Sequence, residues 1–88
     1  GSGMVKSVTT MTANTLRRLE SFFCRSKEKT IVLRTHPDVA HRLQTENKAI
    51  LDDIAQRFSR EIRVEAADDF HIHDIRIVNP KTGKELKP

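Results

Sequence analysis

The chain contains no tryptophan, no tyrosine, one cysteine, three glycines and three prolines in 88 residues. The lone Cys24 excludes a disulfide framework and a cysteine-rich zinc site within the chain. It suits a reducing compartment, so a cytoplasmic location is expected. No Gly-rich phosphate loop is written anywhere, nor a Gly-x-Ser-x-Gly nucleophile turn. The aromatic residues are Phe22, Phe23, Phe58 and Phe70 alone, which leaves the core to aliphatic side chains. The longest apolar run is Ile31-Val32-Leu33, so no membrane span or membrane partner is expected. No charged-then-apolar signal pattern opens the sequence. At this length one domain is expected, burying about 60% of its unfolded surface. That is too little wall for the deep cleft of a self-contained multi-step enzyme.

What is present in quantity is charge. Charged residues make up 32% of the chain against 36% hydrophobic, and the net charge is +4. The basic excess gathers at the two ends. Lys6, Arg17, Arg18, Arg25, Lys27 and Lys29 face only Glu20 and Glu28 in the first third, whereas Asp68, Asp69 and Asp74 make a later stretch acidic. The residues that could neutralise a phosphate backbone are therefore Arg17, Arg18, Arg25, Lys27 and Lys29. The same charges would also serve as a solvated face.

The hydrophobic spacing sets an element order. Leu16, Leu19 and Phe23 share a stripe that predicts a helix from Thr10 to about Ser26, with Thr9 or Thr10 as its cap. Lys29–Thr35 is a short β-branched run without helical period, read as a buried strand. Pro37 suits a first helical position, and Val39, Ala40 and Leu43 give a short helix. The period breaks at residues 44–48 and resumes with Ile50, Leu51, Ile54, Ala55 and Phe58. Glu61–Ala66 alternates strictly, as a strand with one buried face does. Phe70–Val78 reads as a third strand with a bulge at His73-Asp74, its edge free for a partner. Helix, strand, helix, helix, strand, strand gives an α+β fold, with a small three-stranded sheet and three helices on one face. Residues 1–8 are expected to be linker, 9–79 the domain, and 80–88 a flexible tail. Leu19, Leu33, Leu51, Ile54 and Val64 are the expected core.

The strand–helix–helix–strand unit has the element order of a KH module, which clamps nucleotides with a Gly-x-x-Gly loop between its helices. Here that loop reads Gln44-Thr45-Glu46-Asn47-Lys48. It has no glycine to let the backbone approach phosphates, and Glu46 repels them. A KH-like module using the basic first helix instead is the alternative functional reading. His71 and His73 are candidate metal ligands, since side chains two apart on a strand share a face. A metal needs a third ligand that the spacing does not supply, so no metal is assigned. Cys24 has no histidine partner in the sequence pattern and reads as a packed small side chain.

The opening Gly-Ser-Gly-Met-Val-Lys-Ser, the helix segment Ala13-Asn-Thr-Leu-Arg-Arg-Leu-Glu20 and the segment Ile31-Val-Leu-Arg-Thr-His-Pro-Asp-Val-Ala40 resemble the bacterial ribonuclease E/G family. There a zinc-binding Cys-x-x-Cys link runs into Gly-x-Gly-x-Val-x-Ser, then a helix with a Leu-Arg core, and later an Ile-x-Val strand. The resemblance runs to about residue 78. It implies that Gly1-Ser2-Gly3 is native and that the chain is the small C-terminal domain after the zinc link. It implies a parent that is a magnesium-dependent endoribonuclease, a hydrolase of RNA processing and decay. The Mg2+ carboxylates and the structural Zn2+ of that parent lie outside this chain, which is expected to hold no cofactor and no catalytic residue. The implied partners are other domains or subunits of the parent, with single-stranded RNA as a weak further one. The implied role is scaffolding and oligomerisation.

Overall fold

A computed structural model describes residues 7–86. The elements are α1 (Val8–Arg25), β1 (Thr30–Thr35), α2 (Pro37–Gln44), α3 (Lys48–Phe58), β2 (Glu61–Ala66) and β3 (Ile75–Val78). This is the α+β order expected from the hydrophobic spacing.

Helix α1 starts earlier than its apolar stripe suggests. Ser7 is the cap, its Oγ accepting from the Thr10 N–H at 3.1 Å, and Val8 already packs against the core. The expected caps Thr9 and Thr10 are inside the helix, and the linker boundary at residue 8 moves back with them. Gly1-Ser2-Gly3 lies outside the described residues. Met11, Leu16, Leu19, Phe22 and Phe23 form the buried stripe. Thr12 and Thr15 join it because their hydroxyls donate to the carbonyls of Val8 and Met11, at 2.7 and 2.8 Å. That back-bonding satisfies a polar group inside the core without a tertiary partner.

The sheet has the order β2-β1-β3. β1 runs parallel to β2, with Ile31 opposite Ile62 and Leu33 opposite Val64, and antiparallel to β3, with Leu33 opposite Ile77 and Arg34 opposite Arg76. A parallel pair needs a crossover, which α2 and α3 supply. At the start of α2 the chain uses His36 as cap, its Nδ1 accepting from the Asp38 N–H at 3.1 Å, and Pro37 follows in the first turn. Ile31, Leu33 and Ile77 meet Leu19, Phe22, Val39, Leu43, Leu51 and Ile54 in one core, with Val64 packed at its margin. Leu19, Leu33, Leu51 and Ile54 are buried as their spacing predicts, whereas Val64, expected in the core, is half-buried at its edge because β2 is the outer strand.

Two expectations are corrected. The third strand is Ile75–Val78, not Phe70–Val78. Asp74 closes a local turn, its N–H donating to the His71 carbonyl and its carboxylate accepting from the His71 N–H, both at 3.0 Å. A short acidic side chain that bonds nearby backbone competes with the sheet ladder, and here it replaces the bulge. The second correction concerns the tail. Asn79 Oδ1 accepts from the N–H groups of Lys81 and Thr82, Gly83 adopts φ +72°, and the chain turns back so that Glu85 bridges Val78 and the Leu86 N–H donates to the Ile77 carbonyl. The outer edge of β3 is thus occupied, and Leu86 packs against the core. Among the described residues the free edge belongs to β2.

The end of α3 carries a testable strain. Ser59 sits in the left-handed region at φ 55°, ψ 49°, where a Cβ is unfavourable, and it is exposed. Ser59→Gly should raise stability by roughly 0.5–1 kcal/mol, because the relief exceeds the added freedom of the unfolded chain. An unchanged or lowered urea midpoint would contradict this.

Candidate functional site

The five expected phosphate-contact residues do not form one cluster. Arg17, Arg18 and Arg25 are exposed on α1. Arg18 borders a cleft of about 330 Å3 with Phe22, Ile75, Ile77, Glu85 and Leu86. Lys27 and Lys29 instead line a separate cleft of about 410 Å3, with Glu28, Thr30, Asn79, Pro80 and Lys81. Lys81 had no sequence signal linking it to Lys29. Their sharing one cleft follows from the antiparallel β1–β3 register, which brings the residues after Val78 to the start of β1.

The inter-helix loop is Thr45–Asn47, and Glu46 is held by Arg42 at 2.6 Å. The loop thus presents an ion pair and contains no glycine. His71 and His73 lie in the turn before β3 and not on a strand. Their rings stack with centroids 5.9 Å apart and planes 11° from parallel. Ring lone pairs lie in the ring plane, so parallel stacked rings point their nitrogens alongside each other and not toward a shared ion. Among the described residues no three His, Cys, Asp or Glu side chains gather where they could hold a metal. Cys24 is exposed on α1. Among the described residues no helix is long and apolar enough to cross a membrane.

The sheet face turned away from the helices carries the charge that sequence spacing did not reveal. Strand alternation puts Thr30, Val32 and Arg34 on that face, with Glu61, Arg63 and Glu65 beside them on β2 and Arg76 and Val78 on β3. Arg34 and Arg76 stand directly opposite each other, an arrangement that like charges disfavour. Phe70 answers it: both guanidinium carbons lie 5.8 Å from its ring centroid. Glu65 approaches Arg34 Nε only to 3.8 Å, too far for a hydrogen bond, and that buried Nε–H has no acceptor among the described residues. Glu61 holds Arg63 at 3.5 Å. Val32, Arg34, Arg63, Glu65, Val78 and Pro80 line a shallow depression of about 270 Å3 on this face. Asn79 and Pro80 border both this depression and the lysine cleft, so the two adjoin.

Elsewhere the charges tie helices together. Arg57 on α3 bonds Asp53 on its own helix and Glu20 on α1, each at 2.9 Å. Its hydrogen bond to Asp53, then that to Glu20, raise its pKa above the ordinary arginine value. The arrangement is structural: it closes the outer side of the α1–α3 contact.

A family model described as RNase E/G, thioredoxin-like domain matches residues 1–81. No curated protein matches the chain. The mixed sheet, with a parallel pair joined through helices and an antiparallel third strand, is compatible with that description. The dithiol chemistry of thioredoxins is not implied, since exchange between a dithiol and a disulfide needs two cysteines and this chain has Cys24 alone. Because the match takes in every element from α1 to β3, the chain belongs to the RNase E/G family, as its thioredoxin-like domain.

Proposed function

We propose that this domain is the small C-terminal domain that follows the zinc link of an RNase E/G-type endoribonuclease, and that it serves assembly and not cleavage. The parent's magnesium carboxylates and zinc ligands belong to other segments, and its chemistry is RNA processing and decay in the cytoplasm. The observation that carries the assembly role is the open edge of β2. Glu61 and Ala67 turn their N–H groups inward, to the carbonyls of Lys29 and Thr35 at 2.7 and 2.8 Å. Ile62, Val64 and Ala66 therefore turn theirs outward. Of these outward groups, the Val64 carbonyl accepts from Gln44 Nε2 at 3.3 Å. The rest form a row of donors and acceptors on which a strand from another domain or subunit can add.

Proline separates this edge from the fold. Ala66 is exposed and its N–H faces outward, so Ala66→Pro removes an edge donor while sparing the β1–β2 ladder. In the parent enzyme this substitution should shift the mass distribution, measured by light scattering at equal concentration, toward smaller species. The far-UV circular dichroism should stay unchanged. An unaltered assembly with a folded variant would refute the edge as the docking element.

A further inference from the structure

We infer that the open sheet face, continued by the lysine cleft at its end, is a binding track for single-stranded RNA. The track begins at Phe70 with Arg34 and Arg76, crosses Val32 and Arg63, passes Pro80, and ends at Lys29, Lys27 and Lys81. This inference does not rest on the assembly role, which concerns the β2 edge and not the face.

Charge complementarity is the first argument. Arg76, Lys27, Lys29 and Lys81 form no ion pair among the described residues. The acids on the track are Glu28, Glu61 and Glu65, with Glu61 beside Arg63 and Glu65 3.8 Å from Arg34, and Asp68 and Asp69 precede Phe70 in the chain. The surplus is positive at the Lys27, Lys29 and Lys81 end, which suits a polyanion. Flatness with an aromatic group is the second. Single-stranded RNA exposes base faces that stack on aromatic rings and guanidinium planes, and an open sheet offers these at strand spacing. Phe70 is half-buried and flanked by Arg34 and Arg76, so ring and guanidinium groups stand together where a base would stack. A duplex would hide its bases from them. An acidic peptide would use the lysines and arginines but would gain nothing from the ring. The sequence singled out Arg17, Arg18 and Arg25, but they lie on α1, on the opposite side of the sheet from this track.

The test is a fluorescence-anisotropy titration of this chain with a labelled oligouridine at two salt concentrations, with polyglutamate as a parallel probe. Binding should fall steeply with salt. Lys29→Ala/Lys81→Ala should weaken it and lower the salt slope by about 1.4, from two phosphate contacts at about 0.7 each. Phe70→Leu should weaken it roughly fivefold to a hundredfold, by loss of one stacked base. Arg76→Gln, at an exposed position outside any ion pair, should also weaken it and guards against a misfolded Phe70 variant. Arg17→Ala/Arg18→Ala should stay within about twofold of the wild type. Thermal melts confirm that each variant is folded. No binding at low salt would overturn the inference. So would binding that the sheet-face variants leave intact while the α1 pair abolishes it. Equal affinity for polyglutamate, indifferent to Phe70→Leu, would replace RNA with an acidic protein as the ligand.

Discussion

Replacing Leu33 with alanine should lower the unfolding free energy by about 2–5 kcal/mol. Leu33 is 0% exposed in the central strand, with Val64 on one side and Ile77 on the other. Helices close over it, so the space left by the lost methyl groups cannot collapse easily. A domain of this size is stable by roughly 0.05–0.15 kcal/mol per residue, so the loss is a large share of the total. Its neighbour Val32 provides the control. Val32 is also buried, at 5% exposure, but on the face it shares with Val78, Arg34, Arg63 and Glu65 and the turn after β3. Val32→Ala should therefore cost less than half as much, since fewer atoms are removed and the cover over them is a surface turn and not the packed helices. Urea titration of both variants measures the difference. Equal midpoint shifts would mean that the helices do not sit on the Ile31–Leu33 face.

Phe23→Ala should cost about 3–5 kcal/mol. Phe23 lies 5.6 Å from Phe22, nearly edge-on, and 5.6 Å from Phe58 on α3. The Arg60 guanidinium carbon sits 5.1 Å from its ring centroid. Arg60 is held there by its own bonds, Nη1 to the Glu28 carbonyl at 2.7 Å and Nε to the Phe58 carbonyl at 3.0 Å. One arginine thus fastens the end of α3 to the segment that follows α1, over the ring that links the two helices. A double-mutant cycle of Phe23→Leu and Arg60→Ala should give a coupling of about 0.5–2 kcal/mol. Arg60→Lys should not restore stability, because an ammonium cannot reach both carbonyls from one fixed plane. Additive effects in the cycle would show that ring and guanidinium are neighbours without interacting.

The parts of the fold that were legible are those fixed by local spacing. The stripe Leu16, Leu19, Phe23 and the stripe Leu51, Ile54, Phe58 can bury only as helices. The alternation of Glu61–Ala66 can bury one side only as a strand. The family was legible too, since its resemblance rests on the order of short segments along the chain, and the matching family model covers residues 1–81. Errors fell where a side chain bonds its own backbone. Ser7 capping α1, Asp74 closing a turn and Asn79 folding the tail each choose among local conformations of similar energy, and hydrophobic period is silent about them.

By itself the sequence determined the elements, the inward residues and the surplus of positive charge, because these follow from the spacing of side chains along one segment. Only the tertiary structure decided which charges stand together. Lys29 and Lys81 come to line one cleft, and Arg34 stands opposite Arg76 and beside Phe70, through the register of β1 with β3. The same register, with the tail folded along β3, left β2 as the free edge. Strand order is set by which pairing buries Ile31, Leu33, Ile62, Ile75 and Ile77 together under the helices. That is a property of the whole core, and no single segment encodes it.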